Sequence, residues 1–282
     1  MHHGACVKAA KANKHVIVEK PLCLTMEEAD EMIAACADSG KLLMYAEELC
    51  FAPKYERVRQ LAESGAVGGI YMMKQSEKHS GPHSAWFYDV NLSGGGVIMD
   101  MGCHAIAWFR WMMKNAPVKS VFAQMNTVLH NRITKGEDNT VMIIEFENGA
   151  IGLAEDSWAR FGGMDDRIEV YGDKGVSYAD LFQGNSALTY SSEGYDYAAE
   201  KAGTTIGWTF TMFEEAFNQG YPHELRHFID CVRGNRDPVV TGEDGRAVLE
   251  IVNAAYASAK SGGKVYLPFK AKVSRPIDLW LG

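Results

Sequence analysis

The sequence predicts an α/β unit of the doubly wound (Rossmann) kind, followed by an α+β domain built on a large, mostly antiparallel open sheet. Three observations carry that expectation. Over residues 1–46, helix-like and strand-like segments alternate in the order α-β-α-β, the rhythm of a doubly wound sheet. From Ala116 to Tyr190, strand-like segments follow one another with little helix between them, as in an antiparallel sheet with one face to be covered. Helical periodicity then returns from Gly220 to Lys260 and supplies a covering layer. The boundary is expected at residue 46, with a second unit over 47–282.

Each element has a local reason. Ala5 to Asn13 is rich in alanine and lysine, a short amphipathic helix that Asn13 can stop. His15 to Val18 is an apolar run, expected to be a buried parallel strand. Pro21 cannot donate to a ladder and ends it. Glu19 and Lys20 are thereby left at the carboxyl end of a strand, where open α/β sheets bind ligands. Thr25, with Glu28 three residues on, forms a capping box for a helix from Met26 to Ser39, closed by Gly40. Lys41 to Ala46 reads as a second buried strand. Pro53 to Ser64 is a charged amphipathic helix with proline in its first turn. Ile70 to Gln75 reads as a strand.

Ser76 to Ser93 is polar and reads as a long loop, and long loops in compact domains are usually functional. A helix is expected from about Val97. Strands follow at Val118–Asn126, Asn139–Phe146, Ala150–Trp158, Arg167–Gly172 and Val176–Leu181, with a hairpin turn at Asn148-Gly149. Within Gly220–Gly234, residues Leu225, Phe228, Ile229 and Val232 are expected to form the apolar face of a helix. Thr241 caps a further helix to Lys260, and Lys264 to Pro268 closes the chain as a strand or arm.

Chemistry concentrates in Ser93 to Arg110. Three glycines run into Asp100, and His104 follows four residues later. On a helix that spacing puts both side chains on one face. A carboxylate beside an imidazole can transfer protons, can share a metal ion, or can be a packed helix start. His79, His83, Trp86 and Tyr88 could line a polar substrate pocket or belong to an exposed loop. Arg160, Asp165 and Asp166 form another polar connection that could reach the site, and nothing singles one of them out. His223 and His227 read as structural or exposed.

Composition narrows the class. The chain has 282 residues, 47% hydrophobic and 23% charged, ordinary for a globular protein and enough for two domains. A net charge of -8 and a pI near 5.6 argue against nucleic acid as a partner. No apolar run approaches the roughly 20 residues of a membrane span. The start has no long apolar region of the signal-peptide kind. Six scattered cysteines with no C-x-x-C suit a reducing cytoplasm and no structural zinc site.

Three blocks carry a resemblance. KHVIVEKPL (residues 14–22) resembles the A-G-K-H-V-x-x-E-K-P-L segment of the Gfo/Idh/MocA family, the glucose–fructose oxidoreductase and inositol dehydrogenase relatives. SGGGVIMDMGCHAI (93–106) resembles its G-G-G-x-x-x-D-x-G-x-H segment. HFIDCVRGNRDPVVTGEDGRAVLEIVNAAYASAKSG (227–262) resembles its last helices. The blocks occur in the family's order, and together they span essentially the whole chain.

The resemblance implies hydride transfer between NAD or NADP and a sugar or cyclitol hydroxyl. It implies Lys20 near the nicotinamide and the reacting hydroxyl, His104 as general acid/base, and Asp100 orienting His104 or binding a substrate hydroxyl. Glu19, Lys20, Pro21 and His2 are then expected on the cofactor side, and His79, His83, Trp86 and Asp100 on the substrate side. It also implies a homo-oligomer formed through the open sheet, and no metal.

The sequence departs from the family in two places. Ala107 stands where the family often has an aspartate. No G-x-G-x-x-G opens the first unit, so the chain is expected to begin inside its Rossmann domain, about 60 to 80 residues in at the usual unit size. That would leave the strand at Val16 with an unpaired edge. Two other readings stand beside the dehydrogenase: a metal-dependent hydrolase or lyase using His79, His83, Asp100 and His104, and a non-catalytic oligomerising module.

Overall fold

A computed structural model describes residues 1–182, 186–194, 204–212 and 214–282. The chain opens with α1 (His2–Lys11), β1 (Val16–Glu19), α2 (Met26–Asp38) and β2 (Leu43–Ala46). Asn13 takes a left-handed φ of 57° and stops α1. Thr25 caps α2 by accepting from Glu28 N at 3.1 Å, and Glu28 returns a bond to Leu24 N at 3.0 Å. β1 and β2 pair in parallel, Val16 opposite Leu43 through Glu19 opposite Ala46.

β1 is not the fully buried strand expected from its composition. Val16 and Val18 face inward, while Ile17 is 45% exposed. Among the described residues its one strand neighbour is β2. β2, in contrast, is buried throughout. On its far side Val240–Thr241 lies against it, with Tyr45 N donating to Val240 O at 3.3 Å and a bridge from Met44 to Thr241.

The second unit contains α3 (Pro53–Glu63), β3 (Ile70–Lys78), α4 (Val90–Ser93), α5 (Cys103–Met112), β4 (Val118–Asn126), β5 (Asn139–Phe146), β6 (Ile151–Ser157), β7 (Asp165–Gly172) and β8 (Gly175–Asp180). A two-stranded pair follows, β9 (Ser186–Ser191) with β10 (Gly207–Met212). Then come α6 (Glu215–Asn218), α7 (Tyr221–Val232), α8 (Gly242–Ser261), β11 (Val265–Tyr266) and α9 (Asp278–Leu281). The large sheet has the order β11-β4-β5-β6-β3-β7-β8. Every neighbouring pair is antiparallel except β3 with β6, so the sheet is mixed and mostly antiparallel. Asn148-Gly149 makes the expected hairpin turn, with Gly149 at φ 87°.

α5 and α8 cover one face of this sheet, and the main core lies between, around Trp108, Phe109, Phe146 and Tyr256. A smaller core holds the first unit together, and Leu249 of α8 belongs to it. Gly245 makes that contact close. A Cβ there would lie 3.0 Å from Tyr45 and 3.1 Å from Leu22.

Two further expectations need correction. The loop from Ser76 to Ser93 is largely structured: β3 runs on to Lys78, a 3-10 turn covers Ala85–Tyr88, and α4 follows. The strand continues because Gln75, Ser76 and Glu77 are buried despite their polarity. On α7 the inward face carries Glu224, His227, Phe228 and Cys231, while Leu225, Ile229 and Val232 face outward. A count of apolar residues picked the wrong stripe, because His227 is held inside by Val239 N, which donates to its Nε2 at 3.0 Å.

Candidate active site

The carboxyl ends of β1 and β2 and the start of the helix at Ile98 meet at one place. Residues 98–102 form a π-helical turn that leads into α5, a local widening often found at functional sites. The three glycines let its backbone come in close. A Cβ on Gly96 would lie 1.9 Å from Glu137 O, and one on Gly95 would lie 2.0 Å from the Tyr256 hydroxyl. Glu137 uses this closeness to cap the turn. Its carboxylate accepts from Ile98 N at 3.0 Å, Gly96 N at 3.2 Å and Tyr256 OH at 2.9 Å.

Lys20 leaves the end of β1 and reaches this turn. Its Nζ donates to Asp100 O at 2.7 Å and to Asp100 Oδ1 at 3.2 Å. Trp158, just past β6, donates its indole N–H to Asp100 Oδ2 at 3.0 Å. Burial alone would raise the Asp100 carboxyl; Lys20, then His79, hold it below its ordinary value. Burial opposes the charge on Lys20, yet Asp100 lifts its ammonium well above the ordinary lysine value.

His104 is 2% exposed, and Asp100 does not bond to it. Its Nδ1 lies 2.5 Å from Glu47 Oε1, and its Nε2 lies 3.7 Å from Glu48 Oε1. The pairing of Asp100 with His104 expected from the i, i+4 spacing is therefore replaced by two pairings, Asp100 with Lys20 and His104 with Glu47. The physical reason is orientation: the ammonium and the indole hold the Asp100 carboxylate, while Glu47 holds the His104 ring. Burial, then Lys20, lowers the His104 ring to about 4. Burial raises Glu47 to about 8, with Lys20 opposing.

The other expected residues are placed as follows. His79 is 3% exposed at the end of β3, and its Nδ1 accepts from Gly81 N at 3.0 Å. His83 is exposed, and Trp86 is 47% exposed and stacked on Phe87. His2 Nδ1 lies 3.0 Å from Pro21 O, so α1 is tied to the turn after β1. Glu19 is exposed beside it.

Among the described residues, Glu47, Glu48 and His104 are the group close enough to share an ion, their ligand atoms lying within 4.8 Å of one another. The quartet His79, His83, Asp100 and His104 is not gathered in this way. A cation at Glu47–Glu48–His104 would face the Lys20 ammonium, whose charge acts on all three.

Several functional candidates escaped the sequence reading. Glu47 and Glu48 directly follow the apolar run of β2, the position Lys20 holds after β1, and that symmetry was a usable signal. Asp156, Glu77 and Asp166 stand in register on three adjacent strands. All three are buried, and burial first raises each carboxyl. Tyr55 OH donates to Asp166 Oδ1 at 2.5 Å, while both Asp156 oxygens and Glu77 Oε2 have no hydrogen-bond partner. Strand alternation could have found Asp156, which faces inward between Ala154 and Trp158, whereas Glu77 lies between polar Gln75 and His79 and Asp166 reads only as part of a polar connection.

A short parallel unit joined to an α+β domain with one large mixed sheet, with a lysine, a histidine and buried acids at the junction, is the architecture of a two-part oxidoreductase. Residues 1–47 match the oxidoreductase family with an NAD-binding Rossmann fold, and residues 55–177 match the GFO/IDH/MocA C-terminal domain. The crystal structure of GenD2 from gentamicin A biosynthesis, in complex with NAD, is 33% identical. It superposes with a TM-score of 0.89, covering 95% of this chain and 76% of that one. Myo-inositol 2-dehydrogenase of Thermotoga maritima is 28% identical over 262 residues, which are 92% of this chain and 74% of that protein. The NAD(+)-dependent scyllo-inositol 2-dehydrogenase of Bacillus subtilis is 28% identical over 272 residues, 95% and 75% of the two chains. The chain belongs to the Gfo/Idh/MocA family of NAD(P)-dependent dehydrogenases.

Proposed function

We propose that this protein transfers hydride between a nicotinamide cofactor and a secondary hydroxyl of a sugar or cyclitol. The observation that carries the proposal is the Lys20–Asp100 pair standing beside the buried His104. Lys20 provides a held positive charge for an oxygen that turns anionic. Asp100 fixes that charge in place. His104 exchanges the hydroxyl proton. The buried acids Glu77 and Asp156 support a polyol, because their unpartnered oxygens suit hydroxyl donors. The substrate side is assigned to His79, Asp100, His83 and Trp86, the last two exposed. The names of the relatives, two inositol dehydrogenases among them, point the same way.

NAD or NADP fits the donor set at the end of β1. The partly buried Lys20 ammonium can donate to the carboxamide side, and the exposed Glu19 carboxylate can accept from ribose hydroxyls. Pro21 and His2 shape the turn between them. When bound, the nicotinamide supplies the hydride acceptor or donor. The unit boundary is proposed at residue 46, near the change from one family match to the other.

Two finer assignments belong to the same reading. The outward face of the large sheet exposes Tyr71, Val141, Ile151 and Tyr178, and we assign it to self-association. All six cysteines are buried and unpaired, which supports a reducing, cytoplasmic setting. No helix among the described residues is long and apolar enough to cross a membrane.

The test is to incubate the chain with NAD or NADP and a panel of inositols and aldoses, following reduced cofactor. Reduction with at least one polyol, lost in Lys20→Ala and in His104→Ala, is the expected result. No reduction with any polyol, or full activity in both variants, would sink the proposal.

A further inference from the structure

We infer that Glu47 and His104 form one proton-carrying dyad, in which Glu47 positions His104, while Asp100 positions Lys20 instead. The inference rests on the hydride-transfer reading and divides its chemistry between two carboxylates. The resemblance has Asp100 orienting His104 or binding a substrate hydroxyl, and the structure gives the His104 contact to Glu47. Asp100 Oδ1 accepts from Lys20 and Oδ2 from Trp158, and neither oxygen bonds to the His104 ring.

Glu47 takes the place left open. It directly follows β2, is fully buried, and meets Nδ1 at 2.5 Å. A carboxylate on Nδ1 fixes the ring orientation and leaves Nε2 as the nitrogen that exchanges a proton. The nearest carboxylate to Nε2 is Glu48 at 3.7 Å, too far for a hydrogen bond, so Nε2 stays available.

The proton balance follows. In oxidation, the substrate O–H bond breaks and its proton passes to Nε2. The carbinol C–H bond breaks, and its electron pair leaves as hydride for a nicotinamide acceptor. The proton between Nδ1 and Oε1 shifts towards Glu47, so the ring does not hold a full positive charge in a buried place. Lys20, Glu19, Glu48, Asp100, Cys103 and Glu224 face the pair from the neighbouring elements. Lys20 is the cation among them, and it disfavours an imidazolium. Burial, the main cause in each, pushes both groups towards their neutral forms, Glu47 up to about 8 and His104 down to about 4.

The test needs neither cofactor nor substrate. Nitrogen-15 spectra of the histidines in the full chain are compared for wild type, Glu47→Gln and Asp100→Asn. We expect His104 to show an engaged Nδ1 with a far-downfield proton. That signal should vanish in Glu47→Gln and persist in Asp100→Asn. An unchanged His104 in Glu47→Gln, or loss of the signal only in Asp100→Asn, overturns the dyad. If Glu47→Gln does not fold, the wild-type titration decides. A ring that stays neutral from pH 5 to 8 supports the dyad, and one that titrates near 6.5 overturns it.

Turnover separates the two readings. Glu47→Gln should lower kcat by about 100-fold or more, the scale of general-base catalysis, with KM little changed. A wild type with the dyad signal but no polyol oxidation sinks the hydride-transfer reading and leaves the dyad standing. Polyol oxidation by wild type and Glu47→Gln alike sinks the dyad and leaves that reading standing.

Discussion

Lys20 binds Asp100 twice, donating to its backbone carbonyl at 2.7 Å and to its carboxylate at 3.2 Å. The first bond fixes the π-helical turn and the second fixes the charge, so one ammonium ties the end of β1 to the start of α5. Removing it leaves Asp100 as a buried, uncompensated carboxylate. Lys20→Met is therefore expected to cost about 3–5 kcal/mol of stability, the scale for breaking a buried pair. Urea unfolding would measure it. A loss under 1 kcal/mol would show that the pair does not tie the two units together.

The glycine run is expected to tolerate no side chain at its last position. Gly96→Ala would drive a Cβ into the Glu137 backbone, and overpacking of this kind costs about 1–3 kcal/mol or more. Gly4 in α1 has nothing within 4 Å of its would-be Cβ, so Gly4→Ala is expected to stabilise by roughly 0.5–1 kcal/mol. Thermal melts of the two variants should move in opposite directions.

Stability is expected to fall as pH rises above neutrality. Burial raises Glu137 to about 7, Glu47 to about 8 and Glu224 to about 9, from an ordinary 4.5. Between 4.5 and those values the folded state holds more protons than the unfolded one, so their contribution is lost as pH rises through the folded values. His104, lowered from 6.5 to about 4, has the opposite effect, but only below about 6.5. Melting temperatures at pH 6.5, 7.5 and 8.5 should decline in that order. A flat or rising series would show that these acids are already ionised in the fold.

The oxidation rate should follow the dyad. To accept a proton at Nε2, the Glu47–His104 pair must first lose one, so kcat for oxidation is expected to rise with pH towards an inflection near 8. Glu47→Gln should remove that inflection. A profile unchanged by the substitution would assign the inflection to another group.

Much of the fold was legible because periodicity and punctuation agreed. Thr25, Gly40, Asn148-Gly149 and Thr241 each mark a boundary that the structure keeps. The position of Lys20 at a strand end was legible for the same reason. The partners in the site were not. The spacing of Asp100 and His104 constrains one helix, whereas Lys20 lies 80 positions from Asp100 and Glu47 lies 57 from His104, and only tertiary packing decides between such partners. The outward stripe of α7 failed for a related reason. Hydrophobicity alone cannot tell an apolar face that meets the core from one that meets solvent, when His227 and Cys231 are the residues turned in.

Leu249 lies within the core of the first unit, and Val240–Thr241 lines the edge of β2. The opening 46 residues are thus finished by a segment about 200 residues downstream. On the ribosome, at about 5–20 residues per second, that partner arrives some 10–40 seconds after β2 has been made. Until then Leu22, Leu43 and Tyr45 lack the helix that covers them. The packing of β1, α2 and β2 is therefore completed only once α8 has been made, so their cooperative unfolding includes α8 as well.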